Sequence, residues 1–167
     1  MSVPENTTMG KKKPHLVLGD DHDFDQTVVD LEELLRHVNN VIRRAGRKIL
    51  SEFDMTPPQL NALLQLQHHG NLTIGELSEK LYLAFSTATD LINRMERNEL
   101  VARERDIADR RVVRLRILPK GTQLLDEIIV ARCRYLEGIL ASVSIEDRGL
   151  LVNSLRKIDE LMSPDQD

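Results

Sequence analysis

The chain has 167 residues, 41% of them apolar and 30% charged, with aromatics at 3% and no tryptophan. That length suits one domain with a sizeable core built mainly from Leu, Ile and Val. The net charge of −4 argues against a uniformly basic surface, and the single cysteine, Cys133, excludes an internal disulfide framework and fits a reducing cytoplasm. No apolar run reaches bilayer length, and no apolar stretch follows Lys11–Lys13, so neither a membrane span nor a secretory signal is expected.

Residues 1–24 lack helical or strand periodicity and carry prolines, glycines, the Lys triplet and the acidic residues Asp20, Asp21 and Asp23. They read as a flexible arm ahead of a domain over 25–165. The Lys triplet reads as part of a solvated tail, with phosphate contact as the other reading. From Gln26 to Glu52, apolar residues recur at helical spacing, from Val28 and Leu31 through Ile42 to Ile49. Asp54–Thr56 breaks the pattern. Thr56 then reads as an N-cap, with Pro57 at the first helical position, Gln59 closing a capping box and Met55/Leu60 as a hydrophobic staple. This helix should stop at Gly70–Asn71, with His68–His69 answering its dipole.

Thr73 with Glu76 makes a second capping box, and Leu72/Leu77 a second staple, opening a helix over Ile74–Tyr82. After a short turn, Leu83–Phe85, Ser86 is expected to cap a helix to about Asn98. Two short helices so joined, over about 73–98, are a helix–turn–helix signature. Val101–Arg105 and Val112–Leu118 alternate as strands, joined by the charged turn Asp106–Arg111, and form a hairpin over about 100–118. Apolar periodicity resumes at Leu124, Leu125, Ile128 and Ile129. Ser144, three residues before Asp147, starts a last helix to about Met162. The expected fold is mainly α with a small β-hairpin wing: a winged helix–turn–helix flanked by helices at about 26–52 and 119–163.

Charge is unevenly spread. Residues 101–120 hold seven basic and three acidic side chains, a net +4 against −8 for the remainder. A basic protrusion on an acidic body can orient a protein on a polyanion. At about 100° per residue, Ala88, Leu91, Ile92 and Met95 share one side of the Ser86–Asn98 helix. Opposite lie Ser86, Asp90, Asn93 and Arg97, flanked by Thr87, Thr89 and Arg94. Short hydrogen-bonding groups near a helix N-terminus suit phosphates, Asn93 can read adenine, and Arg94 guanine. Asp90 can accept from cytosine or pair with Arg94 four residues on. Alone, this helix reads equally as an ordinary amphipathic surface helix; the adjoining basic hairpin favours DNA. At the hairpin tip, Arg110 and Arg111 can enter a minor groove, with Asp109 holding the turn, while Arg114 and Arg116 would contact the DNA backbone or simply cover their strand's outer face. A solvated charged turn is the bland alternative.

These residues resemble the MarR-type winged helix–turn–helix regulators over roughly Gln26 to Ser163. The resemblance rests on Thr56-Pro57-Pro58-Gln59, on Leu77-Ser78-Glu79-Lys80-Leu81, on Leu91-Ile92-Asn93-Arg94-Met95-Glu96, and most on Leu100-Val101-Ala102-Arg103 followed by Asp106 to Gly121. The last stretch looks like the family's D-x-R wing and its strand leading into a Leu-Thr-x-x-Gly helix start. Ile107 stands where proline is common, and Pro119 replaces the usual threonine. The resemblance implies a homodimer joined through the terminal helices, a palindromic operator in double-stranded DNA, recognition by the Ser86–Asn98 helix, and Arg111, paired with Asp109, in the minor groove. It also implies a repressor released by a small effector, often aromatic or phenolic, held between the dimerisation helices and the reading head.

No Gly-rich phosphate loop, Cys–His pairing or metal-ligand cluster points to an enzyme, a cofactor or a metal site. All five histidines precede residue 70, which disfavours a zinc sensor. Two other readings stand beside the regulator: a winged-helix protein–protein adaptor without specific DNA binding, and a cysteine-based redox sensor. For the second, Cys133 between Arg132 and Arg134 would need a lowered pKa; the competing expectation is a small buried packing residue.

Overall fold

The computed structural model describes residues 24–163, so the arm expected over 1–24, with its Lys triplet, lies outside the described residues apart from Phe24. In chain order the elements are α1 (Gln26–Glu52), α2 (Pro57–His69), α3 (Ile74–Lys80), α4 (Phe85–Arg97), β1 (Val101–Arg105), β2 (Val113–Ile117), α5 (Pro119–Ile139), a 3-10 turn (Leu140–Ser142) and α6 (Ile145–Met162). Among the described residues no helix is long and apolar enough to cross a membrane. The chain forms two compact units, one ending at Gly46 within α1 and one from Arg47 onward.

In the first unit, α1 starts where the Asp25 carboxylate accepts the Thr27 amide (3.0 Å). Arg36 pairs with Glu32 one turn back (3.0 Å), an exposed pair that supports the helix only weakly. Its apolar stripe, including Leu31, Leu34, Leu35 and Val38, is exposed.

The second unit is built around α2. Leu50 at the end of α1 is buried, and the Met55 amide bonds back to its carbonyl (3.0 Å). Asp54 takes a left-handed conformation (φ 50°) to make the corner, one that a short polar side chain tolerates. The Gln59 side chain accepts from the Thr56 amide (2.9 Å) and hydroxyl (2.8 Å), and Pro57 and Pro58 occupy positions whose N–H groups would have no intrahelical partner. The staple residues Met55 and Leu60 are both buried. Leu60, Leu63 and Leu66 of α2 pack with Leu77, Ile92, Met95, Val101, Leu115, Leu125 and Ile128 into one core.

At α3, the Thr73 hydroxyl accepts from the Glu76 amide (3.2 Å), while the Glu76 carboxylate accepts from the Thr73 amide (2.7 Å). We expect Thr73→Ala to cost about 1 kcal/mol, read as a lower urea midpoint; Thr73→Ser should recover most of it. An unchanged midpoint in the alanine variant would show that this cap contributes nothing. The helix ends at Lys80, two residues short of the expected Tyr82. Tyr82 is left-handed (φ 52°) and exposed, and the Leu83 amide turns back to the Ser78 carbonyl (2.9 Å). Apolar spacing continues through Leu81, so nothing local announces this stop.

The hairpin is antiparallel, with Val101 opposite Ile117, Arg103 opposite Leu115 and Arg105 opposite Val113. The Leu115 amide also bonds to the Leu72 carbonyl (2.7 Å), tying β2 to the entry of α3. α5 buries Gly121, Leu125 and Ile128. Cys133 is exposed on α5, which corrects the expectation of a buried packing residue; it lies about 140° around the helix from Ile128. His69 departs from the dipole reading as well. Desolvation, then Lys80 and His68, hold its imidazole below the ordinary value and so favour the neutral form. α6 starts at Ser144, whose hydroxyl accepts the Asp147 amide (3.0 Å), and it buries no residue: Leu150, Leu155 and Leu161 are all exposed.

Candidate nucleic-acid interface

α4 faces two environments. Ala88, Ile92 and Met95 are fully buried and Leu91 packs against the core. Ser86, Thr87, Asp90, Asn93, Arg94 and Arg97 are exposed, and Thr89 is half-buried with its hydroxyl donating to the Phe85 carbonyl (2.8 Å). The outward face read from the sequence is therefore a real exposed face. One detail is corrected: the helix begins at Phe85, so its N-cap is Ala84 rather than Ser86, and no side chain caps it. Burial of Ala88 sets the helix phase, and the Ala88 amide bonds to the Ala84 carbonyl (3.0 Å), which leaves Ser86 inside the first turn. The uncapped first-turn amides and the hydroxyls of Ser86 and Thr87 lie together there, a donor set suited to a phosphate.

Asp90 and Arg94 form no ion pair among the described residues, so the pairing considered from their spacing is absent. Asn93 is engaged instead: its Oδ1 accepts from Arg103 Nη2 (2.9 Å), while Arg103 Nη1 donates to the Glu96 carboxylate and the Arg103 amide donates to Glu96 Oε1 (3.1 Å). This bridge from β1 to α4 was not foreseen, since the partners lie seven and ten residues apart across a turn.

The hairpin tip is organised by two carboxylates. Asp106 Oδ1 accepts the amides of Ala108 (2.8 Å) and Asp109 (3.2 Å), while its Oδ2 accepts from Arg114 Nε. Asp109 Oδ1 accepts from the Arg111 amide (3.0 Å) and Nε (3.1 Å), and Oδ2 from Nη2 (3.3 Å). The paired Arg111 side chain is still 92% exposed. Arg114 reaches further, to the Asn71 carbonyl (3.0 Å) and toward Glu76 (3.8 Å), so it joins the hairpin to the start of α3. Arg116 pairs with Glu104 and Lys120 with Glu99. The net +4 thus overstates what is free: among the described residues, Arg105 and Arg110 are the cations of the 101–120 stretch without an ion pair, beside Arg94 and Arg97 on α4.

These contacts shift the acids. Arg114, then the Asp109 and Ala108 amides, hold the Asp106 carboxyl below its usual range, and the Arg111 side chain and amide do the same for Asp109. Folded values below unfolded ones mean that both carboxylates contribute stability above about pH 4 and lose it as pH falls through the lower folded values. The tip should accordingly stay ordered at neutral pH and loosen only in acid. Amide signals of Ala108 and Asp109 that do not move through an acid titration would contradict this.

A separate open cleft of about 720 Å³ lies between Phe53, just after α1, and α5, lined also by Pro119, Gln123, Asp126, Val130 and Arg134 among others.

Comparison with known proteins bears on this arrangement. The MarR family profile matches residues 55–113, from the staple before α2 to the start of β2. An uncharacterised HTH-type transcriptional regulator of Bacillus subtilis, YsmB, is 47% identical over 135 residues, 81% of this chain and 92% of that protein. The chain belongs to the MarR family. A solved MarR family protein from Bacillus stearothermophilus shares 46% identity at a TM-score of 0.79, over 85% of this chain and 99% of that one. At 20% identity, a mutant of the Staphylococcus aureus regulator MepR, solved bound to an oligodeoxyribonucleotide, shares the fold at a TM-score of 0.61, over 84% of this chain and 99% of that one. The protein is thus a MarR-family transcription regulator built on a winged helix–turn–helix.

Proposed function

We propose that this MarR-family protein is a cytoplasmic homodimer that binds a palindromic operator in double-stranded DNA and represses transcription until a small effector releases it. The observation that carries the reading is the exposed polar face of α4, with its uncapped first turn, beside a hairpin whose tip displays Arg110 and Arg111. On this reading Ser86, Thr87 and Thr89 meet phosphates, Asp90, Asn93, Arg94 and Arg97 lie along the major groove, and Asp109 aims Arg111 beside Arg110 at the minor groove. Arg114, partly exposed while it braces the wing through Asp106 and the Asn71 carbonyl, contacts the DNA backbone beside them. MepR, the structural neighbour solved on DNA, supports the same use of the fold.

Dimerisation is favoured by apolar residues left exposed along α5 and α6, such as Val130, Leu136, Leu150 and Leu155, and along α1 before Gly46. Apolar stripes left exposed along helices in this way mark association faces. The cleft beside α5 offers Phe53, Pro119 and Val130 as apolar lining with the polar side chains of Gln123, Asp126 and Arg134 among them, a mixture that can hold and orient a small molecule. The test is titration of the protein into its own upstream intergenic duplex across a salt series, with scrambled duplex as control. Selective, steeply salt-dependent binding by a dimer is the expected result. Binding no tighter than to scrambled duplex would favour the adaptor reading.

A further inference from the structure

We infer that Arg103 is a specificity-determining positioning residue: by occupying the oxygen of Asn93, it turns that side chain from an adenine reader into a guanine reader. The inference rests on the proposal that α4 reads the major groove.

Arg103 sits on β1 opposite Leu115, on the face of the hairpin that turns toward the body. Glu96 holds the residue at two points, its carboxylate accepting from guanidinium Nη1 and from the Arg103 backbone amide, with about a quarter of the side chain exposed. From that anchored position Nη2 reaches Asn93 at 2.9 Å. A guanidinium only donates, so the Asn93 atom it meets must be the amide oxygen, and the orientation of the amide is settled by chemistry. The Nδ2 amino group, with two hydrogens, is what Asn93 then presents outward.

Asparagine recognises adenine by a two-point contact, its oxygen accepting from N6 and its nitrogen donating to N7. Here the oxygen already has a cationic donor. An adenine amino group brought to the same oxygen would lie against the positive guanidinium. Guanine offers N7 and O6, both acceptors, on its major-groove edge, and these match a side chain reduced to donors. The arrangement also limits the rotamers open to Asn93 before DNA arrives, which lowers the entropic cost of the contact.

The test is selection from a randomised duplex pool by the full-length wild type, by Asn93→Ala and by Arg103→Leu. Leucine is tolerable at 103, facing Leu115, and leaves the backbone amide bonded to Glu96. At the position whose preference disappears in Asn93→Ala, the wild type should enrich a G·C pair about tenfold over A·T, and Arg103→Leu should move that preference to A·T. The wild-type and Asn93→Ala pools decide the base even if Arg103→Leu does not fold. An adenine at that position in the wild type, an unchanged guanine in Arg103→Leu, or an Asn93→Ala pool identical to the wild-type pool would each overturn the inference while leaving DNA reading intact. No enrichment by the wild type would overturn the proposed function itself.

Discussion

Replacing Gly121 by alanine is expected to lower stability by about 3 kcal/mol, the upper part of the usual range for overpacking a core. A Cβ at this position would stand 2.2 Å from the Leu100 carbonyl oxygen, 3.1 Å from its carbon and 3.0 Å from Ile117 Cγ2. The Leu100 oxygen cannot move aside freely, because it accepts the Leu118 amide at 2.9 Å and Leu100 itself is buried. The conflict is therefore between two backbone segments, the entry to β1 and the first turn of α5. Relief requires the hairpin base and α5 to separate, which opens the core at Val101, Leu115 and Leu125. Urea unfolding at one fixed protein concentration reads the effect, since subunit association would otherwise enter the midpoint. A midpoint equal to that of the wild type would show that the first turn of α5 shifts without cost.

The double substitution Arg110→Ala with Arg111→Ala is expected to weaken operator binding by roughly a hundredfold or more and to reduce the salt slope by about two per reading head. Arg110 has no ion pair among the described residues, and Arg111 keeps most of its surface open despite its bonds to Asp109. The substitution removes the Arg111 side-chain bonds to Asp109 but leaves Asp106 with the amides of Ala108 and Asp109, so the chain should still fold with at most a small loss of stability, and subunit association should be unaffected. Arg114→Ala should behave differently. Its guanidinium links Asp106, the Asn71 carbonyl and the Glu76 side of α3, so its loss should lower stability as well as affinity. If the double variant keeps both affinity and salt slope, the tip is not part of the interface.

Legibility followed the range of the interactions. The starts of α2, α3 and α6 were readable because Thr56, Thr73 and Ser144 bond to residues three positions away. The outward face of α4 was readable because Ala88, Ile92 and Met95 repeat with the helix period. Errors gathered where a distant neighbour decides. The start of α4 depends on the phase that burial of Ala88 imposes and on the left-handed corner at Tyr82. The availability of each arginine depends on carboxylates that the hairpin and the helix ends bring beside it.

By itself, then, the sequence determined which segments are helices and strands, which faces are apolar, and that a polar helix and an arginine-bearing hairpin follow one another. Each of those properties is written within a few residues, in caps, prolines and period. Only the tertiary structure decided which cations are spent on internal pairs, that Asn93 and Arg103 act as a unit, that Cys133 faces outward, and why residue 121 must lack a side chain. These depend on the separation of atoms from different elements, and packing, which no local pattern records, sets those distances.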